Sequence, residues 1–266
     1  MTLLNHHHCP APFPEAPTLL LIHPMGASVN FWDACLPFWQ PHFGTLALDL
    51  RCSGESPCAS EPPNLETHVA DIEELRRAIG LTRLVPIACA VGCMVAASYA
   101  ASYVSHIPAM ILSNPTPGTG SAAKEALLAR AEAVRKGGMA AILPGAVERP
   151  FENQPRDARY LAYYSAFAAQ DGAAYAQSVL GFARADASAA FQRLCCPTLL
   201  VPARHDLLLP PVLADECAAL MSPKLARIIL DEAGAHFLPY QRPIAFAKLV
   251  LEFLSTALPQ DRRKGI

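Results

Sequence analysis

Charge is scarce in this chain. Asp, Glu, Lys and Arg make up 17% of its 266 residues, against roughly 25% in an average globular protein, while hydrophobic residues reach 52%. That balance excludes a disordered or collagen-like chain, because so apolar a sequence buries enough surface to offset the entropy of folding. Basic runs are missing as well. Lys plus Arg number 21 against 23 Asp plus Glu, a formal net charge of -2, and only the tail Arg262, Arg263 and Lys264 exceeds a pair of adjacent cations. A nucleic-acid footprint is therefore not expected.

Long apolar runs are absent too. The most apolar segment, 85–101, is interrupted by Pro86, Gly92 and Ser98 and falls short of the roughly 18 residues of a membrane span. No cation precedes Arg51, so the positively charged start of a secretory leader is lacking. The nine cysteines form no C-x-x-C pair, and no H-E-x-x-H occurs. From these absences we expect a cytoplasmic protein with reduced cysteines, no metal, no cofactor and no membrane partner. His6, His7, His8 and Cys9 are consecutive in a predicted strand, where side chains alternate faces, so they are not read as a metal site. Weak surface charge makes a homo-oligomer compatible with the sequence.

What is present is a repeated alternation. Short apolar runs at 19–22, 45–48, 84–88, 109–112, 198–201 and 226–230 are separated by amphipathic stretches, which predicts an α/β fold with a mostly parallel sheet flanked by helices. Residues 2–9 are expected to add an antiparallel edge strand. A helix is predicted after Asn64, with early acids Glu66, Asp71, Glu73 and Glu74, late bases Arg76 and Arg77, and Gly80 as its stop. Val69, Ile72, Leu75 and Ile79 would form its buried stripe.

Strand signals vanish between 119 and 188. Helices are expected there over 124–136, 157–167 and 171–184, stopped or capped by Gly137, Gly138 and Asp171, with an aromatic face of Tyr160, Tyr163, Tyr164 and Phe167. This divides the chain into a core of 1–118 and 189–266 and an inserted helical cap of 119–188. Gly118, Gly120 and Ala123 match G-x-G-x-x-A, but Pro115 and Pro117 separate them from the strand and no acidic residue ends a strand some 20 residues later; a dinucleotide site is not read from them.

Four segments bear on chemistry. His23-Pro24-Met25-Gly26 follows the first long strand, where a turn can aim a backbone N–H at an oxyanion. Asp49 to Ser56 follows the next strand. Ala88-Cys89-Ala90-Val91-Gly92 lies between a strand and an alanine-rich helix. Asp206 and His236 each follow one of the last two strands. In this order the segments resemble the α/β-hydrolase fold over nearly the whole chain, with elbow, acid and histidine in the sequence that family uses. The stretch from Arg130 to Ile142, together with Asp171 to Ala176, resembles the cap of 3-oxoadipate enol-lactonases and related hydrolases of small esters.

The resemblance implies a serine-type hydrolase of a small ester or lactone, carboxylate-bearing and catabolic in those relatives, with a small-molecule substrate and no cofactor. Fold and triad leave a carbon-carbon bond or amide hydrolase open as well. It assigns Asp206 and His236 to the triad, the backbone N–H groups of Met25 and Val91 to the oxyanion hole, and position 90 to the nucleophile. Cations of the cap available to a substrate are Arg130, Arg135, Arg149, Arg156, Arg159 and Arg184.

The departure is at position 90, where the family places Ser, sometimes Cys or Asp, and this chain has Ala90. Three readings follow. Ala90 replaces a serine, leaving a nearly inactive hydrolase; or the chain is a natural pseudoenzyme that binds a small ligand or partner; or Cys89 is the nucleophile. The last would set Ile87 and Val91, both β-branched, at the crowded positions two residues to either side of the elbow, whereas Ala88 and Gly92 are small.

Overall fold

The structure is a computed structural model that describes residues 3–258. The first residue of the expected edge strand, Thr2, and the basic tail at 262–264 lie outside the described residues. Seven strands form one sheet: β1 (His6–Cys9), β2 (Thr18–Ile22), β3 (Gly44–Leu48), β4 (Leu84–Cys89), β5 (Met110–Ser113), β6 (Thr198–Val201) and β7 (Ala226–Ile228), in the order β1-β3-β2-β4-β5-β6-β7. β1 runs antiparallel to β3, and every other pair is parallel. The α/β class and the edge strand are as expected.

Two details show why the strands end where they do. β7 is shorter than the apolar run 226–230, because its partner β6 continues into Pro202, which has no N–H to extend the ladder. β4 contains Pro86 although it is central, a place where proline removes a ladder bond. Pairing of β4 with β5 begins only at Ile87↔Ile111, so Pro86 precedes the bonds that its missing donor would have weakened.

The helices of the first half are α1 (Leu36–Trp39), α2 (Leu65–Ile79) and α3 (Gly92–Ser102). In α2 the Asn64 side chain accepts from the Thr67 N–H, and Gly80 ends the helix at φ 78, as predicted. Its buried face differs in part: Ile72 and Leu75 are buried, Val69 and Ile79 only partly, and His68, Asp71 and Glu73 are buried with them. Ion pairs make the two buried carboxylates tolerable, since Arg51 binds Asp71 and both Arg76 and Arg77 bind Glu73. These guanidiniums, Arg76 first, hold Glu73 down to about 2.

The expectation that all cysteines are reduced is corrected. Cys52 and Cys58 form a disulfide, their Cα atoms 4.2 Å apart. The loop after β3 doubles back, with the Cys52 N–H bonded to the Pro57 carbonyl at 3.2 Å, and this close return brings together two thiols whose sequence spacing matches no recognised pair.

Residues 121–182 form α4 (Ser121–Gly137), α5 (Gly145–Glu148), α6 (Ala158–Ala168) and α7 (Gly172–Phe182), followed by α8 (Ser188–Gln192), α9 (Val212–Leu220), α10 (Leu238–Gln241) and α11 (Pro243–Ala257). Asp157 and Asp171 cap α6 and α7 through their carboxylates. Two hydrophobic clusters cover the two faces of the sheet; Ala90 and Phe237 belong to one, Cys93 and Phe182 to the other. Among the described residues no helix is long and apolar enough to cross a membrane.

Helix α3 starts hard against β2. A Cβ on Gly92 would lie 2.8 Å from the His23 carbonyl oxygen and 2.9 Å from that of Ile22, both backbone atoms with no room to yield. Gly92→Ala is expected to lower stability by about 1–2 kcal/mol in chemical denaturation, the overpacking outweighing alanine's better helix propensity.

Candidate active site

The turn from β4 into α3 carries Ala90 at φ 51, a conformation that costs a non-glycine residue roughly 1–2 kcal/mol. The surroundings over-determine it. The Ala90 N–H donates to the Ser113 carbonyl at 3.0 Å, the Cys93 N–H donates to the Ala90 carbonyl at 2.9 Å, and Gly92 meets β2 as described. Ala90 is therefore the strained residue of the bend, and its side chain is a methyl group.

Cys89 does not fill that role. It is the last residue of β4, fully buried, and its thiol donates to the His236 carbonyl at 3.5 Å. Burial, and then the nearby Asp206, push the thiol well above its ordinary value, so it keeps its proton.

Asp206 and His236 meet. Nδ1 of His236 lies 2.9 Å from Oδ2 and 3.1 Å from Oδ1 of Asp206, whose side chain is wholly buried. The carboxylate also accepts from the Leu208 and Leu209 N–H groups at 2.8 and 2.9 Å, a local turn that precedes α9 without capping it. With Nδ1 donating to the carboxylate, Nε2 is left to accept a proton. His205 is half-buried, and its backbone N–H ties the loop to the Gly234 carbonyl at 3.0 Å, next to the 235–236 backbone.

A residue not anticipated from sequence sets the histidine's backbone. Nδ2 of Asn114, just past β5 at φ 49, donates to the carbonyls of Ala235 and His236, both at 2.8 Å. Cys89 and Asn114 thereby clamp the same carbonyl from two strands. The SNP tripeptide at 113–115 hints at a strand-end turn, but a contact spanning 122 residues leaves no local trace.

The turn at 23–27 is equally built. His23 is buried; its Nδ1 donates to the Pro24 carbonyl at 2.8 Å and its Nε2 accepts from the Leu50 N–H at 2.9 Å, a tautomer that burial keeps neutral by lowering the pKa. Asp49, also buried, accepts from the Val29 N–H at 2.7 Å and the Glu55 N–H at 2.9 Å, joining this turn to the loop after β3. Among the described residues neither the Met25 N–H nor the Val91 N–H is bonded to a protein acceptor. Two unpaired backbone donors near a bend are what an oxyanion requires.

A cavity of about 780 Å³ lies under α6 and α7, lined by Ser28, Asn30, Phe31, Ser53, Gln170 and Tyr240 among others. Ala90, Asp206 and His236 are not part of its lining, which does include Gly26 and Tyr163. Tyr163 then leads inward, its ring 4.8 Å from that of Phe237, which is 5.0 Å from the His236 ring. Of the aromatic face, Tyr160, Tyr163 and Phe167 are buried and Tyr163 also lines the cavity, so packing and lining are combined in that one residue. Of the six arginines named above only Arg159 reaches the cavity; Arg156 pairs with Glu148 at 2.9 Å, and Arg130 meets the Tyr175 hydroxyl at 3.4 Å.

The sheet order and its flanking helices give the α/β-hydrolase fold. The family described as alpha/beta hydrolase fold matches residues 17–137. A putative carbamate hydrolase, RutD, of Escherichia coli O81 (strain ED1a) is 24% identical over 259 residues, spanning 94% of this chain and 95% of the relative. Among solved structures, the enol-lactonase of Burkholderia xenovorans LB400 superposes with a TM-score of 0.87 at 24% identity, over 95% of this chain and 96% of that one. A thermophilic esterase from Thermogutta terrifontis superposes with a TM-score of 0.84 at 22% identity, over 96% and 93%.

Proposed function

We propose that this protein binds a small acyl compound, an ester or lactone, and hydrolyses it slowly because Ala90 closes the covalent route. The observation that carries the reading is the pairing of His236 with the buried Asp206 beside an elbow that keeps its strained φ without a nucleophile. In this reading the Met25 and Val91 N–H groups receive the carbonyl oxygen, and residues 119–188 act as a cap over the cavity. A water takes the place of the missing hydroxyl. It attacks the carbonyl carbon as Nε2 of His236 takes its proton; the tetrahedral oxyanion collapses, and the departing alkoxide receives that proton from the imidazolium. Asp206 holds the tautomer and stabilises the charged ring. No metal, cofactor, nucleic acid or membrane takes part, and the protein works in the cytoplasm.

A second reading is favoured by relatives named as putative carbamate hydrolases, whose similarity spans 94% of this chain. Water attack without an acyl-enzyme serves a carbamate equally well, with the amine leaving in place of the alkoxide.

Calorimetric titration with short aryl esters, lactones and a simple carbamate, followed by product assay, tests the proposal. One class is expected to bind and to be hydrolysed slowly, and His236→Ala is expected to reduce that rate by about 10²–10⁴-fold, the usual contribution of a general base, with Kd little changed. Absence of binding, or hydrolysis indifferent to His236→Ala, would overturn it.

A further inference from the structure

Helix α6 reaches the turn that offers the Met25 N–H. The Gly26 carbonyl accepts from the Tyr163 hydroxyl at 3.2 Å and from Nε2 of Gln170 at 3.0 Å, filling both lone pairs of one oxygen. Between these two residues Phe167 closes on the same place: a Cβ on Gly26, which sits at φ 75, would be 2.5 Å from the Phe167 ring. Tyr163, Phe167 and Gln170 follow at spacings of four and three, one continuous face of the helix and its end.

We infer that Tyr163 and Gln170 are positioning residues that hold the Pro24 to Ala27 turn in the shape presenting the Met25 N–H, so that the oxyanion donor is assembled only while α6 is seated. The catalytic part of this rests on the function proposed above; the structural part does not. The turn's own closure is a single bond from the Ala27 N–H to the Pro24 carbonyl at 3.2 Å, and that carbonyl is shared with His23. The peptide of Gly26 lies inside this turn. Two donors pulling on its carbonyl fix the rotation of the chain that follows Met25, which glycine at positive φ would otherwise leave free.

Tyr163 suits the task. Its ring is packed by Phe151, Phe167, Phe237 and Tyr240, at centroid distances of 5.6, 6.2, 4.8 and 5.6 Å, so the hydroxyl is held in place by contacts that do not involve it. Burial raises the phenol well above its ordinary value, and it remains a donor across the accessible pH range. Tyr163 also lines the cavity, so the helix that donates to the Gly26 carbonyl is one that walls the ligand space.

The test is residue-resolved amide exchange by NMR on the full chain, comparing the wild type with Tyr163→Phe and with the double variant Tyr163→Phe/Gln170→Leu. Phe keeps the ring packing and removes one donor. Protection of the Ala27 amide is expected to fall by about tenfold or more in the double variant, while the Val29 amide, held by Asp49, stays unchanged. In an Ala90→Ser background the same pair is expected to lower kcat for an aryl ester by about tenfold or more with KM within about threefold. Unchanged Ala27 protection, or Ala27 and Val29 loosened together, overturns the inference, and the single variant gives the same reading if the double one does not fold. Loss of Ala27 protection with no esterase activity from Ala90→Ser supports the positioning role while contradicting the proposed function.

Discussion

Ala90→Ser is expected to raise the turnover of a short-chain aryl ester or lactone by at least about a thousandfold. The strain that an elbow imposes is already present, since Ala90 sits at φ 51 with Ala88 and Gly92 at the crowded positions. The partner residues are in place, Asp206 against Nδ1 of His236 and two backbone N–H groups without protein acceptors. Adding one oxygen therefore supplies the nucleophile without asking the backbone to move. A triad lacking one member keeps only the fraction of catalysis that binding and the oxyanion hole provide, so restoring the member recovers orders of magnitude rather than a factor of two. Steady-state kinetics on a panel of p-nitrophenyl esters and lactones measures this. No gain on any of them removes the serine-type reading and leaves a ligand-binding protein or the water route on another acyl class.

The second large effect concerns pH and stability. His68 in α2 is fully buried, stacked on Phe182 at 5.4 Å and 12°, and neither ring nitrogen has a hydrogen-bond partner among the described residues. Burial, with smaller contributions from His23 and Arg51, pushes it down to about 3 from the ordinary 6.5. The folded state therefore holds the ring neutral where the unfolded chain takes up a proton. Stability from this group is complete above pH 6.5 and is lost as pH falls from 6.5 towards 3, by about 2 kcal/mol at pH 5. Glu73, whose ordinary value is 4.5, adds to acid sensitivity only below that value, so the interval above it isolates the histidines. In denaturant titrations at pH 7 and pH 5, His68→Leu is expected to remove about 2 kcal/mol of the pH dependence, leaving the part due to other shifted groups, His8 and His23 among them. An identical pH dependence in both proteins would contradict the burial of an unpaired imidazole.

Much of this fold was legible in the chain because its periodicities are unambiguous. Six apolar runs became six parallel strands, and the capping residues Asn64 and Asp171 mark helix starts through bonds only a few residues long. Asp206 and His236, singled out by their order along the chain and the resemblance that order carries, lie in contact. Other features depend on residues far apart in sequence. Asn114 reaches His236 across 122 residues, and Tyr163 reaches Gly26 across 137. Neither leaves a local pattern, and each side chain viewed alone is an ordinary turn or core residue. The Cys52 to Cys58 link was missed for the same reason, since spacing alone gives no clue that the loop returns on itself. The packing of Tyr163 on Phe237, rings 4.8 Å apart, is likewise an outcome that helical spacing of aromatics does not disclose.

The decisive measurement is a crystal structure of the Ala90→Ser variant after reaction with an aryl phosphonate. The account predicts phosphorus bonded to the installed hydroxyl, the phosphoryl oxygen within hydrogen-bond distance of the Met25 and Val91 N–H groups, and Nε2 of His236 facing the adduct. An unreacted hydroxyl, with the imidazole turned away from residue 90, would contradict it.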